Sequence, residues 1–389
     1  MDNKYLNNNN NYMKHLRITL AGWFILFLWL IIGLVWLLIN PKFGMSGTLN
    51  YSIGSLIVGS VWFGLIWKNL SKNHRDNGDE LYPSFGVPNS LTIFRGFLVA
   101  LAAGFILIPI KPGVLSWMPG TFFLSAVLLD GIDGAAARLT GRVTVLGEIL
   151  DIEMDSITVL VGSIAVFILD KAIILVLLVG AARYLFISGQ WFQRKKGRPV
   201  YPLHPKPLRR AMAGAMMGFL AASMFPVFYP PALKVVSYFF ILPFLIGFLD
   251  DWYQVIGFDF PSRGRIIEIG KKGLQFANLW LLPGFRLILI ILLFIISIEI
   301  TQISTLSPIT IGILLLVSLA LLTGTAGRLA AIGLMALVCI ESSNDSFILP
   351  MLLILISGGM IFLLGTGRFS FWKPEDFLIF HRVGDHDQS

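Results

Sequence analysis

Residues 130–155 read DGIDGAAARLTGRVTVLGEILDIEMD, a stretch that places acidic side chains between two apolar runs. Its aspartates are Asp130, Asp133, Asp151 and Asp155. The first two close an apolar run that starts near Phe122, and the last two open another that continues to about Leu169. A charged carboxylate within a bilayer costs roughly 2.5 kcal/mol or more. Four of them in one helical hairpin therefore predict a shared function.

The spacing of the aspartates predicts what that function is. Asp130 and Asp133 are three residues apart and Asp151 and Asp155 are four apart, so each pair shares one helix face. The short polar link 139–144 predicts two antiparallel helices whose carboxylates point into one gap. Oxygen ligands of this charge suit Mg²⁺ or Mn²⁺. Four carboxylates are more than one such ion usually takes from a protein, which favours two ions.

Small residues and one arginine accompany the aspartates. Gly134, the alanines at 135–137 and Gly147 leave room for a backbone or a ligand to approach closely. Arg138 ends the first helix, where a guanidinium can hold a phosphate in a bidentate manner. The competing interpretation is a pair of membrane helices with buried ion pairs. For that interpretation, only Arg138 and Arg142 lie near enough in the sequence to neutralise the carboxylates.

Eight residues of this stretch form the pattern D-x2-D-G-x2-A-R-x8-G-x3-D-x3-D: Asp130, Asp133, Gly134, Ala137, Arg138, Gly147, Asp151 and Asp155. The pattern resembles the signature of the CDP-alcohol phosphatidyltransferases, and a chance match at eight positions is very rare. The resemblance covers about 88–251. It implies a six-helix membrane core, often a homodimer, that moves a phosphatidyl-type group from a CDP-linked lipid to an alcohol and releases CMP.

The resemblance also implies roles for these residues. All four aspartates are the expected metal ligands, with Asp130, Asp133 and Asp151 as the permanent ones. Asp155, which lies deepest along its helix, is the expected general base. The residues expected at the CDP group are Asp130, Gly134, Ala137, Arg138 and Gly147. One span earlier, Asn89, Thr92 and Arg95 form an N-x-x-T-x-x-R arrangement that resembles the opening of the family's first core helix. The alternative for these three residues is a helix cap plus an interfacial arginine.

The composition predicts an all-α, polytopic membrane protein. The chain has 389 residues, of which 56% are hydrophobic and 13% charged, with a mean hydropathy of +0.78. We expect about twelve spans: two with a tail in 1–87, six in the core at 88–251, and four with a linker and tail in 252–389. No basic stripe with interleaved aromatic residues lies outside the loops, so nucleic-acid binding is not expected.

Basic residues are distributed unevenly across the twelve predicted spans. With the N-terminus inside, the outer loops receive only Lys42, Lys111, Lys171 and Lys234 of the 30 lysines and arginines, and 25 lie on the inner side. Arg183 is the one that remains within a span. We therefore expect an integral protein of a bacterial plasma membrane, with both termini and the aspartates on the cytoplasmic side.

Arginines beyond the signature bear on the acceptor alcohol. Arg183 lies within a span, and a basic loop at 193–210 contains Arg194, Arg209 and Arg210. An intramembrane arginine needs an anionic partner, and these four side chains can line a pocket for a phosphate. This favours a phosphorylated polyol, such as glycerol phosphate or inositol phosphate, although serine and choline stay open. An ordinary positive-inside loop that touches anionic lipid explains the loop equally well.

Two other functions also suit parts of this sequence. Twelve spans with intramembrane acids are compatible with a secondary transporter, although transporters usually show repeat symmetry and the chain has no convincing internal repeat. A catalytically inactive family relative is the other alternative, and the presence of all four aspartates argues against it. Gly214 and Gly218 form a G-x-x-x-G arrangement that favours close helix packing within or between subunits.

Overall fold

The computed structural model describes residues 2–75, 80–109, 112–141, 143–203, 207–258, 272–273, 275–303, 308–341, 348–365, 367 and 370. Within these ranges the chain forms helices and their connections, with no strand. The predicted all-α class is therefore confirmed. Most of the predicted linker after the core, and nearly all of the C-terminal tail, lie outside the described residues.

The described α-helices are α1 (Asp2–Leu34), α2 (Asn40–Asn69), α3 (Gly86–Gly104), α4 (Met118–Thr140), α5 (Val145–Ile168), α6 (Val176–Lys195), α7 (Pro207–Ser223), α8 (Pro230–Val255), α9 (Leu282–Ile303), α10 (Pro308–Thr323), α11 (Gly327–Glu341) and α12 (Ile348–Leu364). π-helical turns precede α2 at Val35–Ile39 and α9 at Ala277–Leu281. Short 3₁₀ turns lie at Leu70–Lys72, Phe105–Leu107 and Val114–Trp117.

Several of these helices are long and apolar enough to cross a membrane. The described stretches of that kind are Asn8–Lys72, Gly86–Leu107, Val114–Ala136 and Pro230–Val255. Shorter apolar helices lie at Ala211–Ser223, Ala277–Leu292, Gly327–Ile340 and Leu349–Leu364. The chain is thus an integral membrane protein. The count of twelve spans and the six-helix core stay predictions.

The first two predicted spans pack against each other. Helices α1 and α2 belong to one helical stretch that is interrupted at Gly44, whose φ of 63° lies outside the helical region and favours glycine. On either side of this residue, the rings of Phe24 and Phe63 lie 4.7 Å apart between centroids. Gly59 leaves room for the ring of Phe27. The two spans therefore form a hairpin around Gly44.

By backbone contacts the chain divides into two compact units, one built mainly of residues 1–169 with 217–226 and the other of 170–216 with 227–382. In the first unit α3 packs against α2, α4 and α5. The indole Nε1 of Trp62 donates to the Ile93 carbonyl at 3.1 Å, and the Tyr51 hydroxyl donates to the Leu101 carbonyl at 3.2 Å. Gly96 lies directly under Trp62 and has no side chain to collide with it. The N-terminal helices thus fix the position of α3.

The second unit joins α8 to the helices at the C-terminal end of the chain. The rings of Phe240 on α8 and Phe362 on α12 lie 4.8 Å apart, and the backbone amide of Tyr229 donates to the Cys339 carbonyl at 2.7 Å. Buried Arg286 on α9 donates to the carbonyls of Leu321 and Leu322 at 2.7 Å and 2.6 Å. These carbonyls belong to the last turn of α10, where helices leave acceptors unpaired. The burial of the Arg286 guanidinium is therefore explained by these hydrogen bonds to the end of α10.

Candidate active site

The predicted helical hairpin is present, with its aspartates near the connection. Helix α4 ends at Thr140, and Gly141 follows with a φ of 60°, as is common after a helix C-terminus. Thr144 then caps α5, because its Oγ1 accepts a hydrogen bond from the amide of Gly147 at 2.9 Å. This connection places one aspartate pair in the last three turns of α4 and the other in the second and third turns of α5.

Carboxylate oxygens of Asp130, Asp151 and Asp155 all lie within 4.8 Å of one another. These side chains are 36%, 52% and 42% exposed, whereas the side chain of Asp133 is only 6% exposed. The two helices thus present three carboxylates that a small ion or a ligand can reach. The fourth carboxylate lies beneath them against α3.

The guanidinium of Arg95, on α3, lies among all four aspartates and is only 2% exposed. Its Nη1 pairs with Asp130 and lies 3.4 Å from an oxygen of Asp133, while its Nη2 lies 3.4 Å from Asp151 and 3.1 Å from Asp155. A planar guanidinium with several donors suits such a geometry, since each terminal nitrogen can serve two carboxylates. Within the described residues, its Nε has no hydrogen-bond partner.

The expectation that only Arg138 and Arg142 can neutralise the aspartates is therefore wrong. That expectation considered distance along the chain, whereas Arg95 comes from a different helix and reaches the carboxylates through tertiary packing. The side chain of Arg138 and the whole of Arg142 lie outside the described residues.

The other two polar residues of the N-x-x-T-x-x-R arrangement also face the hairpin. The hydroxyl of Thr92 donates to Asp133 at 2.9 Å. The side-chain amide of Asn89 donates to Thr144 Oγ1 at 3.0 Å and to Asn73 Oδ1 at 3.1 Å. Both residues are buried. Three residues at three-residue spacing thus turn one face of an apolar helix toward the α4–α5 hairpin, rather than toward the membrane interface.

Gly147 has a packing reason to be glycine. A Cβ at this position would lie 2.6 Å from the side-chain oxygen of Asn89 on α3, which is closer than real contacts allow. Its lack of a side chain therefore permits α3 and α5 to approach each other beside the cluster. This role is compatible with the predicted place at the CDP group, which stays a prediction.

Residues between α2 and α3 also hold the α4–α5 connection in place. The His74 carbonyl accepts a hydrogen bond from the amide of Val145 at 3.0 Å, and Arg75 donates to the Gly141 carbonyl at 3.3 Å. Asn73 is buried and donates to two carbonyls at 82 and 84, each at 3.2 Å. Thr144 was recognisable as a cap before an apolar run, whereas nothing in the local sequence distinguishes Asn73.

The remaining residues predicted for the donor and acceptor are only partly described. Gly134 is half-buried on α4, and the side chains of Ala137 and Arg210 lie outside the described residues. In the second unit Arg183 is half-buried on α6, and Arg194 is exposed near the end of that helix.

Arg209 forms a bidentate ion pair with a carboxylate of α8. Its Nε and Nη2 lie 2.6 Å and 2.7 Å from the two oxygens of Asp251, which is buried. The sequence did not predict this pairing, because the two residues lie 42 positions apart in the chain. The pair anchors the start of α7 to the end of α8.

The oxygen ligands around Arg95 fit a divalent cation. Four carboxylates and one guanidinium carry a formal charge of −3, so the cluster retains an excess of negative charge. The oxygens of Asp130, Asp151 and Asp155 are close enough to converge on one ion. Hard, oxygen-binding ions such as Mg²⁺ and Mn²⁺ are the ions expected to bind at such a site.

The fold and this site define an integral membrane protein with an acidic centre that is suited to cations. Residues 85–249 match the family model of the CDP-alcohol phosphatidyltransferases, so this segment of the chain is similar to that family. The resemblance stated from the sequence is thus confirmed. The match to this family supports a transferase. Comparison with curated proteins and with solved structures gave no match.

Proposed function

We propose that this protein transfers a phosphatidyl-type group from a CDP-linked lipid to an alcohol in a metal-dependent reaction that releases CMP. The observation that carries the proposal is the convergence of three signature aspartates at one accessible site. A pyrophosphate donor is strongly anionic, so a membrane site that handles it must supply both negative ligands and the cations that they hold. The reaction would be a step of phospholipid biosynthesis.

All four aspartates are the proposed ligands. Asp130, Asp151 and Asp155 would share an ion, and buried Asp133 would complete the set for a second one. When bound, Mg²⁺ or Mn²⁺ neutralises the donor pyrophosphate and stabilises the charge that develops on the departing CMP. Thr92 would keep the Asp133 carboxylate in one orientation, because its hydroxyl donates a hydrogen bond to one of the two carboxylate oxygens.

Asp155 is the proposed general base. The hydroxyl oxygen of the acceptor attacks the phosphorus that carries the lipid, and the hydroxyl proton passes to a carboxylate oxygen of Asp155. The bond from that phosphorus to the CMP oxygen then breaks. The electron pair of the broken bond leaves with CMP. A base for an incoming alcohol must be reachable, and the side chain of Asp155 is 42% exposed.

The CDP group is proposed to lie along the small-residue side of the hairpin. Gly134 and Ala137 follow the first aspartate pair on α4, and Arg138 would contact a phosphate. Asp130 and Gly147 complete the proposed set. Small side chains at these positions would allow a nucleotide to approach the helix backbones.

A phosphorylated polyol is the proposed acceptor. Four arginines in the second unit are candidates for its phosphate: Arg183, Arg194, Arg209 and Arg210. Asp251 holds the guanidinium of Arg209 in a fixed direction, which suits a residue that recognises an anion but also reduces the charge that it offers. Arg183 is the candidate that lies within a predicted span.

Orientation and assembly are further parts of the proposal. The aspartates would face the cytoplasm, where CMP is released, because the basic loops of the predicted topology lie on that side. A homodimer is proposed through α7. A Cβ added to Gly214 or Gly218 would meet no atom of the described residues within 4 Å, so this face is open to another helix.

The test is a transfer assay on purified protein in detergent. A CDP-diacylglycerol donor is incubated with glycerol phosphate, inositol phosphate, serine or choline, in Mg²⁺, Mn²⁺ or EDTA. Free CMP and the new lipid are measured by mass spectrometry. We expect CMP and one phospholipid product in Mg²⁺ or Mn²⁺, and neither in EDTA. A transporter, or an inactive family relative, would release no CMP with any acceptor.

A further inference from the structure

The buried guanidinium of Arg95 occupies a position that is unusual for a metal site. It lies within hydrogen-bond or ion-pair distance of every aspartate of the cluster, and its charge opposes that of any cation that enters. A residue that merely stabilises α3 would not need four acidic partners. A residue that only contacts substrate would be more accessible than 2%.

Carboxylates that lie this close repel one another when no cation is present. Asp130, Asp151 and Asp155 have oxygens within 4.8 Å of one another on two different helices. This repulsion would push the ends of α4 and α5 apart. The nitrogens of Arg95 contact both helices at once, Nη1 on the α4 side and Nη2 on the α5 side.

We propose that Arg95 is a positioning residue that takes the place of a cation in the metal-free site: its guanidinium holds the carboxylates of α4 and α5 together and sets how strongly divalent ions compete for them. Arg95 acts in this way only if the aspartates bind a metal, as the proposed function holds.

Charge balance gives this residue a second consequence. The four carboxylates with Arg95 carry −3, so two divalent ions bring the cluster to +1, whereas the same cluster without Arg95 would be neutral. A positive cluster attracts a pyrophosphate more strongly than a neutral one. Arg95 therefore weakens the binding of the ions and favours the binding of the anionic donor once they are present.

The experiment measures Mn²⁺ affinity by electron paramagnetic resonance, and the thermal unfolding midpoint in EDTA and in saturating Mn²⁺. For Arg95→Gln we expect a lower midpoint than the wild type in EDTA, and a larger rise when Mn²⁺ is added. The Kd for Mn²⁺ should fall by about tenfold or more, because a nearby positive charge has been removed. If the variant can be purified only in the presence of Mn²⁺, this result would also support the inference.

Two further variants keep the test decisive. Arg17→Gln removes an arginine whose guanidinium lies over the ring of Trp67, 5.4 Å from its centroid, and it should shift the midpoint equally with and without Mn²⁺. If Arg95→Gln does not fold under either condition, Arg95→Lys is used. A single ammonium cannot reach all four carboxylates, so we expect a lower midpoint in EDTA than for the wild type and a larger rise with Mn²⁺.

An equal loss of stability in EDTA and in Mn²⁺, with an unchanged or weaker Mn²⁺ affinity, would overturn the inference. A lysine variant identical to the wild type in both conditions would do the same. These results are distinct from failure of the proposed function. If the wild type binds no Mn²⁺, the proposed metal site is wrong. If the wild type binds Mn²⁺ and Arg95→Gln leaves that binding unchanged, only the role of Arg95 is wrong.

Discussion

Single residues in the acidic cluster are held by partners from α3. The clearest case after Arg95 is Asp133, whose buried carboxylate accepts a hydrogen bond from Thr92 and lies 3.4 Å from the Arg95 guanidinium. A buried carboxylate without such partners would be costly, because it has lost its hydration. The orientation of Asp133 therefore depends on one hydroxyl group and one guanidinium.

Replacing Thr92 with valine tests this dependence. The change keeps the shape of the side chain but removes the donor to Asp133, so we expect metal-dependent activity to fall by about 10–100-fold. Stability should fall by about 1–3 kcal/mol because a buried charged acceptor loses a partner. Thr121→Val, at an exposed site on α4, is the control. Equal activities of the two variants would show that Thr92 does not support the site.

Arg183 is the residue through which the acceptor proposal can be tested. For Arg183→Ala we expect the KM for a phosphorylated acceptor to rise by at least about tenfold, as the loss of one charge-assisted hydrogen bond would produce. The KM for the CDP-lipid should change far less. Arg198→Ala, in the exposed part of the basic loop, should leave both constants unchanged. Equal effects on both substrates, or activity only with an unphosphorylated alcohol, would contradict the proposed acceptor.

At the scale of elements, α3 connects the N-terminal hairpin to the acidic cluster. One face of α3 carries Asn89, Thr92 and Arg95, while Trp62 and Tyr51 of α2 donate hydrogen bonds to its backbone carbonyls. The N-terminal hairpin of α1 and α2 lies outside the segment that matches the family. It nevertheless contacts the helix that positions Arg95, so its influence on the site is structural.

A matched pair of glycine substitutions tests this connection. Gly96→Ala adds a methyl group that would collide with the indole of Trp62, so we expect it to lower the free energy of unfolding by about 1–3 kcal/mol. Gly64→Ala, on α2, places the same methyl group in open space and should raise stability by about 0.5–1 kcal/mol. Thermal unfolding in detergent measures both. Equal thermal unfolding midpoints for the two variants would show that α2 does not constrain α3.

The convergence of the aspartates could be predicted because it follows from helical spacing and one short connection. The role of Arg95 was missed because it depends on tertiary packing, and because an arginine near the start of a predicted span is equally compatible with the membrane interface. The packing of Phe27 against Phe97, 4.7 Å apart between ring centroids, could not be predicted. Aromatic residues in a membrane span show no pattern that identifies their neighbours.

At the scale of the whole molecule, the family match covers residues 85–249 and leaves helices at both ends outside it. We expect a chain that ends near Gly273, without α9–α12, to retain metal-dependent CMP exchange in detergent. It should unfold at a lower temperature than the full chain, because two contacts of α8 are lost. Phe240 loses its ring contact with Phe362, and the ring of Phe239 loses its packing against Gly359. A truncated protein that is folded but wholly inactive would show that the C-terminal helices take part in the chemistry.

The most direct test of the account compares CMP release by the wild type, Asp151→Asn and Glu153→Gln across a Mn²⁺ or Mg²⁺ titration. Both variants remove one negative charge from α5, but helical spacing puts Glu153 on the face opposite to Asp151 and Asp155. We predict that Asp151→Asn folds, because one repulsive charge is gone, yet releases CMP only at the background rate, while Glu153→Gln stays close to the wild type. Near-normal turnover of Asp151→Asn in Mg²⁺ would contradict the proposed metal-dependent transfer at this site.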